Sequence, residues 1–403
     1  MTLSPKAFAD EARKELNDGI LDWWMSHGLD QENGGFIGEV DNQNNQVPTA
    51  EKGSVLNARI LWTFSSAYRI EKLEKYKEMA DRAYAYLRDY FIDKEFGGIY
   101  WLLDCKGNPV DTKKQVYAQA FALYGLSEYC RIDPNPEARE LCDQFFGVIE
   151  KFTYDPTNGG YFESYTREWK LMEEQRLSVK DEADPKSMNT HLHIMEAYAN
   201  YYRVTPSQKL ADRIRHLLEL FEKHIIDSKT GNFSLFFSEK WDKTSPIVSF
   251  GHDIEGSWLL MEAAEVIEDE AWIDRITAPA MRLADETVAR GLDADGSLFY
   301  EQIGLDGHLD DDKHWWPQIE AVVGLINAWQ VSDNPAYYEH AVGLWTFIKK
   351  NIIDSQYGEW FFLVSREGEP ILDKEPKAGF WKCPYHNSRG CMELIERLEK
   401  LES

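Results

Sequence analysis

Apolar residues recur at i, i+3, i+4 and i+7 in twelve stretches, near residues 4–27, 54–70, 74–91, 115–131, 136–152, 187–204, 207–226, 254–268, 271–290, 315–332, 335–352 and 384–401. That spacing keeps one face of a 3.6-residue helix apolar, so it predicts twelve helices. Six times, between one helix and the next, an acidic residue is followed by glycine and then by an aromatic-rich extended stretch. The six begin at Asp30, Asp93, Asp155, Asp227, Asp293 and Asp354. The last glycine of each copy is Gly35, Gly98, Gly160, Gly231, Gly296 or Gly358, giving steps of 63, 62, 71, 65 and 62 residues. A period above about 50 residues exceeds a solenoid or propeller unit and suits a helix, a short glycine-led hairpin and a second helix.

The helices that follow a hairpin are rich in small and apolar residues, as in Tyr117-Ala-Gln-Ala-Phe-Ala-Leu-Tyr-Gly-Leu. They read as an inner set. Those that precede a hairpin carry charge on one face, as in Glu74-Lys-Tyr-Lys-Glu-Met-Ala-Asp-Arg82, and read as an outer set. The expected fold is all-α: a single (α/α)6 barrel spanning residues 1–403, with short β-hairpins at one end. All six inner helices then start at that same end.

Composition narrows the partners. A net charge of −26 over 403 residues repels nucleic acid phosphates and anionic lipid, so neither is expected as a ligand. No run of 18 apolar residues and no apolar signal core at the amino terminus is present, and the five cysteines form no Cys-x-x-Cys. A cytoplasmic protein with reduced thiols is expected. Aromatic residues make up 13% of the chain, with 14 Trp, 20 Tyr and 20 Phe. Most must pack the barrel wall, but aromatic faces above a polar cavity are also suited to the apolar C–H faces of sugar rings.

Polar residues gather at the predicted inner-helix starts. They include Arg59, Tyr117 with Gln119, Asn189 with His191 and His193, the run Phe250-Gly-His-Asp-Ile-Glu-Gly-Ser-Trp258, the run Lys313-His-Trp-Trp-Pro-Gln-Ile-Glu320, and Trp381-Lys-Cys-Pro-Tyr-His386. Four of the six starts carry histidine although the chain has only ten. Buried polar groups are costly unless paired, so their clustering at one end implies a shared polar cavity. His191 and His314 are expected to be structural, and His193, His252 and His386 to do chemistry. His27, His216, His224, His308 and His340 are expected at the surface. His191 and His193 are two residues apart on a helix, so their rings diverge and cannot share one metal ion. No His-Glu-x-x-His, phosphate loop, dinucleotide fingerprint or nucleophile elbow occurs, which leaves acid/base chemistry without cofactor or metal.

The segments Lys186–His193, Phe250–Trp258, His314–Glu320 and Trp381–His386 together resemble those of the N-acylglucosamine 2-epimerase superfamily, and within it the branch that acts on disaccharides. The resemblance spans essentially the whole chain. It implies interconversion of D-glucose and D-mannose at the reducing end of β-1,4-linked disaccharides such as cellobiose, lactose or mannobiose. It assigns ring opening and proton transfer to His252 and His386, a third active-site role to His193, an essential arginine to Arg59, and sugar stacking to Trp315 and Trp381. Tyr117, Asp181, Asn189, Glu255, Trp316 and Glu320 match further cavity positions. Glu255, one turn after His252, is expected to orient that imidazole. The expected partner is a small disaccharide, and the protein is expected to be a monomer or weak homodimer. Epimerisation of N-acetylglucosamine or aldose–ketose isomerisation on the same fold are the neighbouring alternatives. A glycoside hydrolase would instead need two carboxylates across the cavity, from Glu255, Glu320, Asp181 and Asp253. A non-catalytic sugar-binding protein would give the paired histidines no purpose.

Overall fold

A computed structural model describes residues 3–178, 181–304 and 307–401. Twelve helical rods follow one another, and we number them α1 to α12 in chain order. The outer rods are α1 (Pro5–Lys14, carried on by Glu15–Leu21 and Asp22–His27), α3 (Glu74–Tyr86), α5 (Pro136–Val148), α7 (Gln208–Leu220), α9 (Glu270–Glu286) and α11 (Pro335–Phe347). The inner rods are α2 (Ser54–Glu71), α4 (Val116–Ile132), α6 (Met188–Val204), α8 (Phe250–Val266), α10 (Trp315–Ser332) and α12 (Tyr385–Glu399). Each inner rod packs on the next, and α12 packs back on α2, so the ring is closed. The inner rods are covered on every side: in α2 each residue from Ser54 to Ala67 is buried. The outer rods bury one stripe only, such as Leu210, Ile214, Leu217 and Leu218 of α7. Among the described residues no helix is long and apolar enough to cross a membrane.

Five outer rods widen into a π-helical turn at their ends, at residues 87–91, 149–153, 221–225, 287–291 and 348–352, and in α1 the π-helical turn 15–21 is followed by one more α-helical stretch. The chain then enters the glycine loop. Within each repeat a single bridge closes the glycine turn, such as Ile92 with Ile99 or Tyr154 with Tyr161, and short hairpin ladders follow in two repeats, where Leu102 pairs with Asp111 and Gln302 with Leu309. Much of the ladder pairing runs between neighbouring repeats: the strand leading into α4 pairs Lys114 with Tyr165 of the next repeat, and the strand leading into α6 pairs Lys186 with Phe237. A bridge between Val40 and Ala378 joins the last repeat to the first. The loop glycines are required by geometry. Gly98 has φ +73° and a side chain there would collide with the Gln119 amide; Gly160 has φ +80° and lies equally close to His191.

A recurrent polar clamp fastens these loops. The aspartate that opens each one accepts backbone N–H bonds from the residues following it, as Asp155 does from Thr157 and Asn158. In most repeats a buried lysine answers it: Lys52 with Asp30, Lys114 with Asp93, Lys186 with Asp155, Lys313 with Asp293 and Lys377 with Asp354. In the fourth repeat Val248 stands where the lysine would be, and Asp227 has a partly exposed Lys243 at 3.4 Å. A second clamp runs from the inner helix to the backbone just after the glycine. Gln119 binds both backbone groups of Ile99, Gln318 those of Leu298, His191 accepts from the Tyr161 N–H, and Asp253 accepts from Phe233.

Lys186 donates to Asp155 at 2.7 Å and to the carbonyls of Gly159 and Glu239; burial would raise the Asp155 carboxyl, but Lys186 and the N–H groups of Thr157 and Asn158 outweigh it and hold it down at about 2. Lys186→Met leaves a buried carboxylate without its cation, and urea unfolding is expected to show a loss of about 3–5 kcal/mol. Adding Asp155→Asn should recover part of that loss. An unchanged midpoint in the single variant would show that the clamp does not hold the loop.

Candidate functional site

A cavity of about 480 Å³ opens at the amino-terminal end of the inner helices, within the ordinary range for small-molecule sites. Arg59, Tyr117, Asn189, His193, His252, Glu255, Trp315, Trp316, Trp381 and His386 line it, and Asp181 lies on its rim. These residues come from all six inner helices or the segments that enter them. The closure of the ring therefore brings together residues more than 300 positions apart. The rim is acidic, with Glu182, Asp184, Glu301, Asp310, Asp312 and Glu375 beside Asp181, while Lys374 pairs with Asp312.

Local folding decides which side chains point inward. Helix α8 begins at Phe250, four residues ahead of the expected 254, because Gly251 fits where a side chain would strike Trp316 and Pro317. His252 is thereby placed in the first helical turn, with its Nδ1 2.8 Å from the Ser249 hydroxyl. On α6, His193 Nδ1 is 2.8 Å from Glu196 Oε2. On α12, His386 Nδ1 is 2.7 Å from Glu320 Oε1. With Nδ1 of each imidazole tied to the protein, Nε2 is the nitrogen left for the cavity. The rings of His252 and His386 also flank one indole, lying 4.8 and 5.4 Å from Trp316.

Burial pushes the His252 imidazole down to about 4, partly opposed by Glu255. Burial, followed by the positive charges of Arg59 and Arg389, holds His386 well below its ordinary value. Both rings are therefore neutral at physiological pH. Burial raises the Glu320 carboxyl, and the positive charge of Arg389 opposes that rise. Burial would raise Glu196 as well, but Arg389 and His193 outweigh it and hold that carboxyl down at about 2.

Arg59 is the buried cation at the cavity wall. Its Nη2 donates to the Tyr117 hydroxyl at 2.8 Å, its guanidinium lies 4.2 Å from the Phe121 ring, and its Nε has no hydrogen-bond partner. Trp315 Nε1 and Asn189 Oδ1 are likewise buried and unpartnered. Three unsatisfied polar atoms on residues lining one cavity mark where a polar ligand completes the hydrogen bonding.

Several expectations are corrected. Glu320 does not line the cavity; it lies behind His386, bonded to Arg389 and to Trp258 Nε1. Ser249, not Glu255, holds Nδ1 of His252, and Glu255 is engaged by Arg389. Trp315 is only 3% exposed and packs 4.4 Å from Phe362, whereas Trp381 is half-buried among Trp101, Phe380 and Tyr117, so of the two Trp381 is better placed for stacking. His27, His216 and His224 are half-buried against Trp23, Tyr154 and Trp241 and are not surface residues, whereas His308 and His340 are exposed. His191 is structural, as expected. His314 stacks on Tyr300 at 3.8 Å at the cavity edge. Asp253 is consumed by its hairpin and Glu320 by Arg389, so these two do not form a free carboxylate pair across the cavity.

Donor atoms of Glu255, Glu320 and His386 lie within 4.8 Å of one another, a spacing that suits a cation. That place is already filled by positive charge, since Arg389 Nη2 donates to both carboxylates. Arg389, Glu196 and Ser249 were not singled out by the sequence. A signal did exist: His193, His252 and His386 are each followed three residues later by a charged residue, Glu196, Glu255 or Arg389, on a helix with no exposed face there.

Comparison with known proteins agrees with this arrangement. The sequence profile of the N-acylglucosamine 2-epimerase (GlcNAc 2-epimerase) family matches residues 35–388. Cellobiose 2-epimerase of Bacteroides fragilis is 47% identical over 385 residues, covering 96% of this chain and 98% of that protein. Cellobiose 2-epimerase of Dictyoglomus turgidum is 36% identical over 394 residues, covering 98% and 99%. The solved structure of cellobiose 2-epimerase from Bacillus thermoamylovorans superposes with a TM-score of 0.93 at 38% identity, covering 97% of this chain and all of that one. A closed ring of six inner helices, three inward histidines at their starts and a profile match over most of the sequence lead to one conclusion: the chain belongs to the N-acylglucosamine 2-epimerase family.

Proposed function

We propose that the protein is a sugar 2-epimerase that interconverts glucose and mannose at the reducing end of a neutral β-1,4-linked disaccharide such as cellobiose. The observation that carries this reading is the pair His252 and His386, neutral, anchored at Nδ1, and packed against the same Trp316 in one cavity. The similarity to two cellobiose 2-epimerases supports the substrate class. The acidic rim also suits a neutral sugar better than an anionic one.

The chemistry follows from the substrate. The C2 proton of an aldose becomes acidic only when C1 is an open-chain aldehyde, so the ring must first open, with a proton delivered to the ring oxygen and one removed from O1. One neutral imidazole then takes the C2 proton at Nε2, leaving an enediolate across C1 and C2. The second imidazole, on the other side of the planar intermediate, holds on Nε2 the proton it took from O1 during ring opening and gives it to the opposite face of C2; the first imidazole then returns the proton it took from C2 to O1 as the ring closes. A neutral base at physiological pH is what burial has made of both histidines. The negative charge that develops on the sugar oxygens needs donors fixed beforehand. Arg59, which no described carboxylate neutralises, is the main one, with His193 and Tyr117 beside it.

Incubating the protein with cellobiose in deuterated water tests the reading: a glucosyl-mannose product with deuterium at C2 is expected. Free monosaccharide, or a ketose as the main product, would overturn it. His252→Ala and His386→Ala should each lower turnover about 10²–10⁴-fold with the near-ultraviolet circular dichroism unchanged. Near-wild-type turnover in either variant would remove that residue from proton transfer.

The depressed histidines also fix the pH profile. A base whose conjugate acid is weakened stays competent below the usual imidazole range. kcat/KM for cellobiose should therefore remain level from about pH 7.5 down to about pH 5.5. An acid limb centred at the ordinary imidazole value, in protein that circular dichroism shows still folded, would show that the bases are solvated.

Trp381→Ala should reduce kcat/KM for cellobiose more than for free glucose, because stacking on the distal ring provides binding energy away from C2. Equal losses with both sugars, accompanied by a lower melting temperature, would make Trp381 wall packing.

A further inference from the structure

Beneath the cavity floor lies a buried charge cluster that the mechanism above does not use. Arg389 is 1% exposed and comes one turn after His386 on α12. Its Nη1 donates to Glu196 Oε1 and to the Tyr385 hydroxyl. Its Nη2 donates at 2.5 Å to Glu255 Oε1 and at 2.5 Å to Glu320 Oε1. The guanidinium plane is confined by Tyr385 and Trp258, whose ring centroids lie 4.5 and 4.9 Å away. One cation thus faces three buried carboxylates from three different inner helices.

Two of those carboxylates continue to the cavity. Glu196 holds His193 at Nδ1, and Glu320 holds His386 at Nδ1. An unbroken path of hydrogen bonds therefore runs His193, Glu196, Arg389, Glu320, His386. We propose that Arg389 is a positioning residue that keeps His386 in its base form by holding Glu320 as a carboxylate, and that it couples this state to His193 through Glu196. The proposal rests on the reading that these histidines act on the substrate, but its central test needs no substrate.

The physical argument is one of tautomers. A Glu320 carboxylate can only accept, so it requires the proton of His386 on Nδ1 and leaves Nε2 bare toward the sugar. A protonated Glu320 can donate to Nδ1 instead, which places the proton on Nε2 and makes His386 an acid. Burial favours the protonated carboxyl, and the attraction of Arg389 opposes it. The groups that face His386 act in the same sense or through the same path. Arg59 from α2 and Arg389 from its own helix disfavour a positive imidazole, as do His193 from α6 and His252 from α8 when charged, and Glu320 from α10 accepts its proton. Removing Arg389 takes away one of the positive charges and leaves three carboxylates without their shared counter-ion. The Glu320–His386 pair then takes up a proton at higher pH, and whether that proton settles on carboxyl or imidazole, the base form is lost sooner as pH falls.

The expected result is specific. In Arg389→Met the acid limb of kcat/KM should move up by at least about one pH unit, so that activity at a fixed pH below the limb falls about tenfold for each unit. Arg389→Lys, which keeps the charge without the fork, should shift it less. In the unmodified protein, imidazole resonances followed by NMR should show His386 neutral at about pH 6.5, with its protonation at lower pH shifting the His193 signals. A loss of activity in Arg389→Met that is equal at every pH would make Arg389 a packing residue and overturn the proposal. Titration of His386 near the ordinary imidazole value in the unmodified protein, with no response from the His193 signals, would overturn it without any variant. Failure of the epimerase reading itself would appear separately, as no deuterium at C2 in an otherwise coupled pair.

Discussion

Six helices buried on every side can carry polar side chains cheaply only at the end of the ring, and the rest of this molecule follows from that constraint. Along most of their length the inner helices present apolar residues to their neighbours and to the outer rods. At the hairpin end the packing opens, and there the polar residues collect. Below that opening each buried charge has to be answered by another. The Arg389 cluster meets this requirement with three carboxylates, and the aspartate–lysine clamps meet it at the loops. Isolated charges of this kind would cost far more than a domain's net stability.

Much of the fold was legible because two periodicities reinforce each other. The helical spacing of apolar residues set the rods, and the recurrence of glycine after aspartate set the six-fold unit, so the closed barrel followed. The interleaved β-pairing was not legible, because strands of two or three residues carry no alternation long enough to read. The start of α8 was misplaced for a related reason: Gly251 looks like a loop residue by propensity, and only its contact with Trp316 and Pro317 explains why it belongs in the helix.

The site was legible where a residue is chemically unusual for its surroundings. His193, His252, His386 and Arg59 stood out as titratable or charged groups in apolar helix starts, and all four line one cavity. Glu320 and Glu255 were found, but their roles were not, since partnership across helices depends on the angular placement of α10 and α12 around the ring. Arg389 sits in the same segment as His386 and differs from the lining residues only in pointing away from the cavity. One helical turn separates lining the cavity from lying behind it.

The closure of the ring also orders the folding of the chain. Helices α3 to α11 can pack on earlier helices as they form, but α12 must meet α10, α2 and α1, and the Val40–Ala378 bridge spans nearly the whole sequence. Such long-range closure is slow and comes late. His386 and Arg389 arrive on that final helix, so until it docks Glu196, Glu255 and Glu320 lack the cation they share. Assembly of the histidine-lined cavity and completion of the barrel are thus one event, and until then three carboxylates lack the cation they share.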